Sequence, residues 1–336
     1  MSASIGRGQR REEQLMGAAP VNWEDVPRRE VEVGPIAGTW RELGTAAGTR
    51  QVGLRRMQVR PGMRSTPAHT HSGEEEVFFI LAGSGLSWQG GETYEVAAGD
   101  CIVHPVEGPA HTLIAGPDGL DALVYGERNV TEACFLPRAQ VAWLGTTWVR
   151  AGDTPHPFAQ EAAAGELELP ERPSPRPGNI VDLETVEPME VVRGDCAATS
   201  RPVGAAAGSV RTALRHFELR PGKLGAPPHA HSGAEELFVV LEGDGAYLEG
   251  APGATGWEPE ERPVKAGDVV AVLAGTGAAH AFRAGSAGLT YLAYGNRDPH
   301  DTIWYPRSHK VAFPGLRLIG RLEPLGYWDD EEDAGA

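Results

Sequence analysis

The sequence predicts an all-β chain made of two similar units, and two observations carry that expectation. HTHSGEEEVFFILAGSG from His69 returns as HAHSGAEELFVVLEGDG from His229, with nine of fifteen positions identical from His71 and His231 onward at an offset of 160. The match runs upstream through LGTAAGTRQVGLRRMQVRPG and VGAAAGSVRTALRHFELRPG. Downstream, at an offset of 169, YGERN and FLPR answer YGNRD and YPR. An internal duplication of this length means two copies of one structural unit. Within each copy, short apolar or alternating segments are cut by turns such as VRPG, LAGSG, WQGGE and AAGD, or LRPG, LEGDG, KAGD and RAGSAG. Many short strands between tight turns indicate a β-sandwich or barrel.

The elements follow in order. Residues 1–20 are polar without an apolar core, so a flexible N-terminus is expected rather than a signal peptide or anchor. In the first unit, residues 21–150, Arg55 shares strand parity with the apolar Met57 and Val59 and is expected to point inward. His69 and His71, two apart on a strand, project from one face. Glu76 follows His71 by an odd number of residues, so Ser72 and Gly73 must supply a turn or bulge that resets the register. Glu76, Phe78 and Ile80 then share one face of a strand ending at Gly83. AGDCIVHPVEGPAH reads as a strand and a Pro-Gly turn that return the chain to the same site at His111. The tail FLPRAQVAWLG is limited by Pro137 to an edge or extended segment suited to a contact between domains or protomers. Residues 151–178, rich in Pro, Ala and Glu, form a linker with one helical turn around Glu161 to Glu166. The second unit, 179–328, repeats the series as Arg215, His229, His231, Glu236, Phe238, Val240 and His280. Its extra residues fall mostly between Gly250 and Pro263, a long hairpin loop. An acidic tail, 329–336, ends the chain.

Composition narrows the function classes. The 336 residues suffice for two domains with buried cores. A formal charge of −16, with DDEED near the end, repels nucleic acid and anionic membrane. No apolar run approaches the roughly 18 residues of a membrane helix. Cys101, Cys134 and Cys196 are odd in number, lack CxxC spacing and face Val269, Ile303 and Ile36 in the other copy. They are expected to pack as small apolar residues in a reducing, cytoplasmic setting.

The duplication sorts the eleven histidines. His69, His71 and His111 find His229, His231 and His280, whereas His104, His216, His300 and His309 face other residue types and His156 lies in the linker. Three imidazoles and a carboxylate make a mixed N/O site suited to divalent first-row metals. The spacing resembles the two motifs of the cupin superfamily: HxH, four residues, Glu, six residues and Gly, then a Gly-opened segment closing on His. The resemblance covers roughly 21–150 and 179–328. It implies two tandem cupin-type jelly-roll β-barrels, with metal ligands His69, His71, Glu76 and His111 in one and His229, His231, Glu236 and His280 in the other. Pro105 is kept in the first copy, while Leu273 stands at that position in the second.

Such a set leaves open positions on a six-coordinate ion, so up to two divalent transition metals per chain are expected, Fe or Mn favoured, with Ni, Cu and Zn alternatives. Resembling dioxygenases imply that Glu76 or Glu236 serves as a catalytic base. Phe78, Ile80, Phe238 and Val240 read as pocket walls, and Arg55 and Arg215 as bidentate holders of a substrate carboxylate. The leading expectation is a bicupin oxidoreductase of dioxygenase type acting on a small organic acid, aromatic or diketone-like substrate, as a homo-oligomer. The alternatives are a non-redox isomerase, lyase or amidohydrolase, or a metal-holding module without turnover.

Overall fold

The computed structural model describes residues 19–129, 131–144, 147–149, 156–253 and 256–323. Nearly all of the expected flexible N-terminus and the whole acidic tail lie outside them. Each copy folds as a two-layered antiparallel jelly roll organised by one long strand. In the first copy, the early part of Glu76–Gln89 pairs with Asp100–His104 and the late part with Glu92–Ala97, while His111–Glu127 runs beside both. The strand expected to end at Gly83 instead passes through it with a register shift on either side. Gly83 has φ +81°, and a Cβ there would lie 2.2 Å from the Gly119 carbonyl oxygen, so only glycine lets the strand cross between layers here. Gly243 does the same in Glu236–Gly250.

The run Val77-Phe78-Phe79-Ile80 is buried on both faces. Phe78 and Ile80 point into the first barrel, where they pack with Met57, Val59 and Leu113. Val77 and Phe79 point out, into a core shared with Leu237, Val239 and Leu292 of the second copy. That shared core explains why these strands read as continuous apolar runs rather than alternating ones. Tyr125 and Tyr294, recurrent in sequence, meet across it with ring centroids 4.7 Å apart.

The copies also exchange strands. Val21–Asn22 pairs with Asp268–Val272 of the second barrel, and Ile180–Asp182 pairs with Asp100–His104 of the first. Two buried carboxylates reach across reciprocally. Glu235 accepts from the backbone N–H groups of Arg50, Gln51 and Val52 at 2.9–3.1 Å. Glu75 accepts from the hydroxyls of Ser209 and Thr212, both at 2.6 Å.

The linker contains a helix, Pro157–Ala163, beginning before the expected turn, since Pro157 sits at its start and His156 Nδ1 caps the Phe158 N–H at 3.2 Å. It is anchored by Phe158 against Trp40 and by Glu161, which bonds Arg64 and Arg138. The extra residues of the second copy form a short hairpin, Pro252–Gly253 with Gly256–Trp257. Among the described residues, no helix is long and apolar enough to cross a membrane. Cys101 and Cys196 are buried and free. Cys134 is partly buried, packs against Leu136, Ala139 and Val141 as expected, and also borders a cavity.

Candidate metal centres

The HxH strand, Thr70–His71, and the start of Glu76–Gln89 belong to different sheets, separated by the turn at Ser72-Gly73 that the spacing required. The turn brings the carboxylate under the imidazoles. Glu76 Oε2 lies 3.5 Å from His69 Nε2, 3.5 Å from His71 Nε2 and 3.1 Å from His111 Nε2. One donor atom from each of the four falls within 4.8 Å of all the others. In the second copy His229, Glu236 and His280 satisfy that condition. His231 is not in that set, although its Nε2 is 3.3 Å from Glu236 Oε2.

The ring nitrogens facing away from the cluster are mostly tied down. Nδ1 of His69, His111 and His229 bond the carbonyls of Pro67, Pro109 and Pro227 at 2.8, 3.2 and 2.9 Å. His71 Nδ1 meets Glu132 at 3.1 Å, and His231 Nδ1 meets Asp301 at 2.6 Å. These bonds aim Nε2 inward and favour the tautomer that can ligate. Glu132 is held by the N–H groups of Ser72 and Gly73, and Asp301 by that of Gly233. Both acidic residues come from the tails after the second motif, whose strands Ala133–Leu136 and Ile303–Tyr305 pair with the two HxH strands. The tails therefore wall the sites. Sequence reasoning passed over Glu132 and Asp301, although the offset of 169 pairs them.

The buried donors polarise one another strongly. Burial works against charge on His71 and His231, yet Glu76 with Glu132, and Asp301 with Glu236, raise each pKa to about 10. Burial lowers His111 and His229 to about 4. Burial opposes ionisation of Glu76 and Glu236, but the surrounding imidazoles hold both well below the usual carboxylate range. His71 Nε2, His231 Nε2, His280 Nε2 and Glu236 Oε2 are buried without hydrogen-bond partners. A divalent transition ion would satisfy them, so the donor sets suit up to two such ions per chain.

The two sites differ behind the ligands. His104 stacks on His111, with centroids 3.6 Å apart and planes 2° from parallel, and burial keeps its pKa well below normal. Val272 stands there in the second copy. Glu74, raised to about 7 chiefly by burial, borders the first cavity, where the second has Ala234. The first cavity, about 420 Å³, is narrowed by Trp40, Trp143 and Phe158. The second measures about 1070 Å³. Phe78 and Phe238 border these cavities, as do Arg55 and Arg215. Ile80 and Val240, expected as walls, border neither: they lie one pleat further along the strand, fully buried in the barrel cores. Arg55 is engaged by Glu42 at 2.7 Å and lies over Trp40.

Comparison with known proteins agrees with this arrangement. The family described as Cupin domain matches residues 55–117 and 215–292. Among solved structures, the oxalate decarboxylase of Lactobacillus farciminis in a formate complex is 18% identical, with TM-score 0.57, over 84% of this chain and 87% of that one. Oxalate decarboxylase from Bacillus subtilis at pH 4.6 is 18% identical, with TM-score 0.58, over 89% and 84%. A Bacillus subtilis oxalate decarboxylase studied for its Mn(II) centres is 16% identical, with TM-score 0.56, over 90% and 86%. At these identities the likeness is one of fold. No curated protein matches the chain by sequence.

Proposed function

This chain is a two-barrel member of the cupin superfamily, and from that premise we propose that it is a metal-dependent enzyme acting on a small organic acid. The observation that carries the reading is the convergence, in each barrel, of three imidazoles on one carboxylate that borders a cavity. A bound Fe or Mn ion supplies Lewis acidity and access to dioxygen chemistry. The protein's own part is to hold the donors and exclude water. Phe78, Met57 and Trp143 line the first cavity with apolar surface that limits water around a reacting group. On this reading Glu76 or Glu236, leaving the ligand set, would serve as the catalytic base that accepts a proton from the substrate.

Dioxygenase-type oxidation is the leading reaction. A second reading, non-oxidative cleavage of a carboxylic acid, is favoured by the fold likeness to oxalate decarboxylases. A homo-oligomer is part of the same proposal. The test loads the full chain with Fe(II) or Mn(II), screens small mono- and dicarboxylates, and follows substrate loss, dioxygen uptake and carbon dioxide release together. Substrate loss matched by dioxygen uptake is expected. Carbon dioxide release without net uptake selects the second reading. Retention of less than one metal ion per chain after reconstitution would sink both.

A further inference from the structure

The duplicated arginines have unequal surroundings. In the first barrel both are satisfied: Arg55 bonds Glu42, and Arg128 bonds the Thr49 carbonyl at 2.8 Å and the Thr45 hydroxyl at 2.9 Å. The second copy keeps the arginines, as Arg215 and Arg297, and loses the side-chain partners. Pro202 stands for Glu42, Ser200 for Trp40 and Ala205 for Thr45. Among the described residues, neither guanidinium has a hydrogen bond or ion pair, and both border the second cavity beside His229, Glu236 and His280. Arg215 is half-buried, and burial together with the charge of Arg297 lowers its pKa.

The acidic groups around that cavity do not answer them. Glu127 is engaged by Arg211, Asp301 by His231, and Asp298 by the His300 N–H. Glu236 belongs to the ligand set. Two guanidinium groups of one sign, at least one of them partly desolvated, are unfavourable without a counter-ion. The planar fork of arginine selects a planar anion, and a carboxylate fits it bidentately. Around the arginines, the cavity wall is aromatic, from Phe217, Phe238, Phe282 and Tyr291.

We propose that the second barrel alone carries a carboxylate subsite, with Arg215 gripping the anionic head, Arg297 at the mouth, and the aromatic wall taking an apolar body. The proposal rests on the reading of the protein as acting on organic acids, and it assigns that substrate class to one of the two sites. The first barrel, its arginine already engaged and its cavity smaller, is left with uncharged or very small ligands.

The test is calorimetric titration of the full chain, both Mn(II)-loaded and metal-free, with benzoate, 3-phenylpropanoate and the neutral benzamide. One carboxylate per chain should bind, and benzamide roughly tenfold or more weakly. Arg215→Gln should weaken carboxylate binding by about tenfold or more, Arg215→Lys by less, and Arg55→Gln by under about twofold. Equal binding of benzoate and benzamide overturns the subsite. So does equal weakening by the Arg55 and Arg215 changes, or the absence of saturation by either carboxylate up to about 10 mM. The comparison of benzoate with benzamide on the unaltered chain holds even where a variant folds poorly. Metal content of the same samples separately judges the metal-dependent reading.

Discussion

Glu132 and Asp301 show how much of each centre is decided one residue beyond its ligands. Each carboxylate bonds the outer nitrogen of the second histidine of an HxH pair and is itself fixed by backbone N–H groups. Removing its charge leaves the imidazole free to rotate and to choose the wrong tautomer. Loss of such an outer partner typically costs 10–100-fold in metal affinity. Glu132→Gln should weaken Mn(II) binding at the first site by roughly that factor and leave the second within about twofold, and Asp301→Asn should do the reverse. Competition with a chelator, read separately for the two ions, checks this; an equal effect of either change on both sites would refute the assignment. The histidines that gather around Glu76 and Glu236 were legible because the repeat separated paired from unpaired histidines. Glu132 and Asp301 were not, because an acidic residue in a turn before a short strand carries no periodic signal. His104 was set apart from the ligands because its counterpart is Val272, and its ring backs His111.

The elements with the clearest sequence pattern are those that need least context. The long strands are announced by Val77-Phe78-Phe79-Ile80 and by Leu237-Phe238-Val239-Val240, and the bend at Gly83 needs only a glycine where a carbonyl closes in. Segments whose partner lies in the other copy are hidden, as with Val21–Asn22, a strand of two residues. The copies are also tied by Glu75 and Glu235, both 1% exposed, each beside a ligand glutamate and each bonded to residues of the other barrel. Glu235→Ala would remove the acceptor of three backbone N–H groups, of which that of Val52 is buried in the interface. At about 1–3 kcal/mol per orphaned buried donor, destabilisation of about 1–3 kcal/mol is expected. Thermal unfolding of the full chain should show a drop of several degrees. A shift no larger than that of the exposed Glu218→Ala would show that the loop finds water instead.

At the scale of the molecule, the two barrels are repeats in sequence but not independent bodies. The outward faces of their central strands form one apolar core, which includes Val77, Phe79, Leu237 and Val239, and each barrel borrows a strand from the segment preceding the other. Cutting the chain between the repeats would expose that core to water, an apolar face of the kind that drives association. A fragment ending at Gly178 would also lack Ile180–Asp182, which completes the first barrel's sheet, whereas one ending at Glu187 keeps it. Fragment 1–187 should therefore be the more soluble of the two. It should still sediment as a dimer or larger species when alone, and co-expression with 188–336 should give a one-to-one complex. Fragment 1–187 sedimenting as a monomer with cooperative thermal unfolding would show that the shared core is dispensable, and with it the physical link between the two centres.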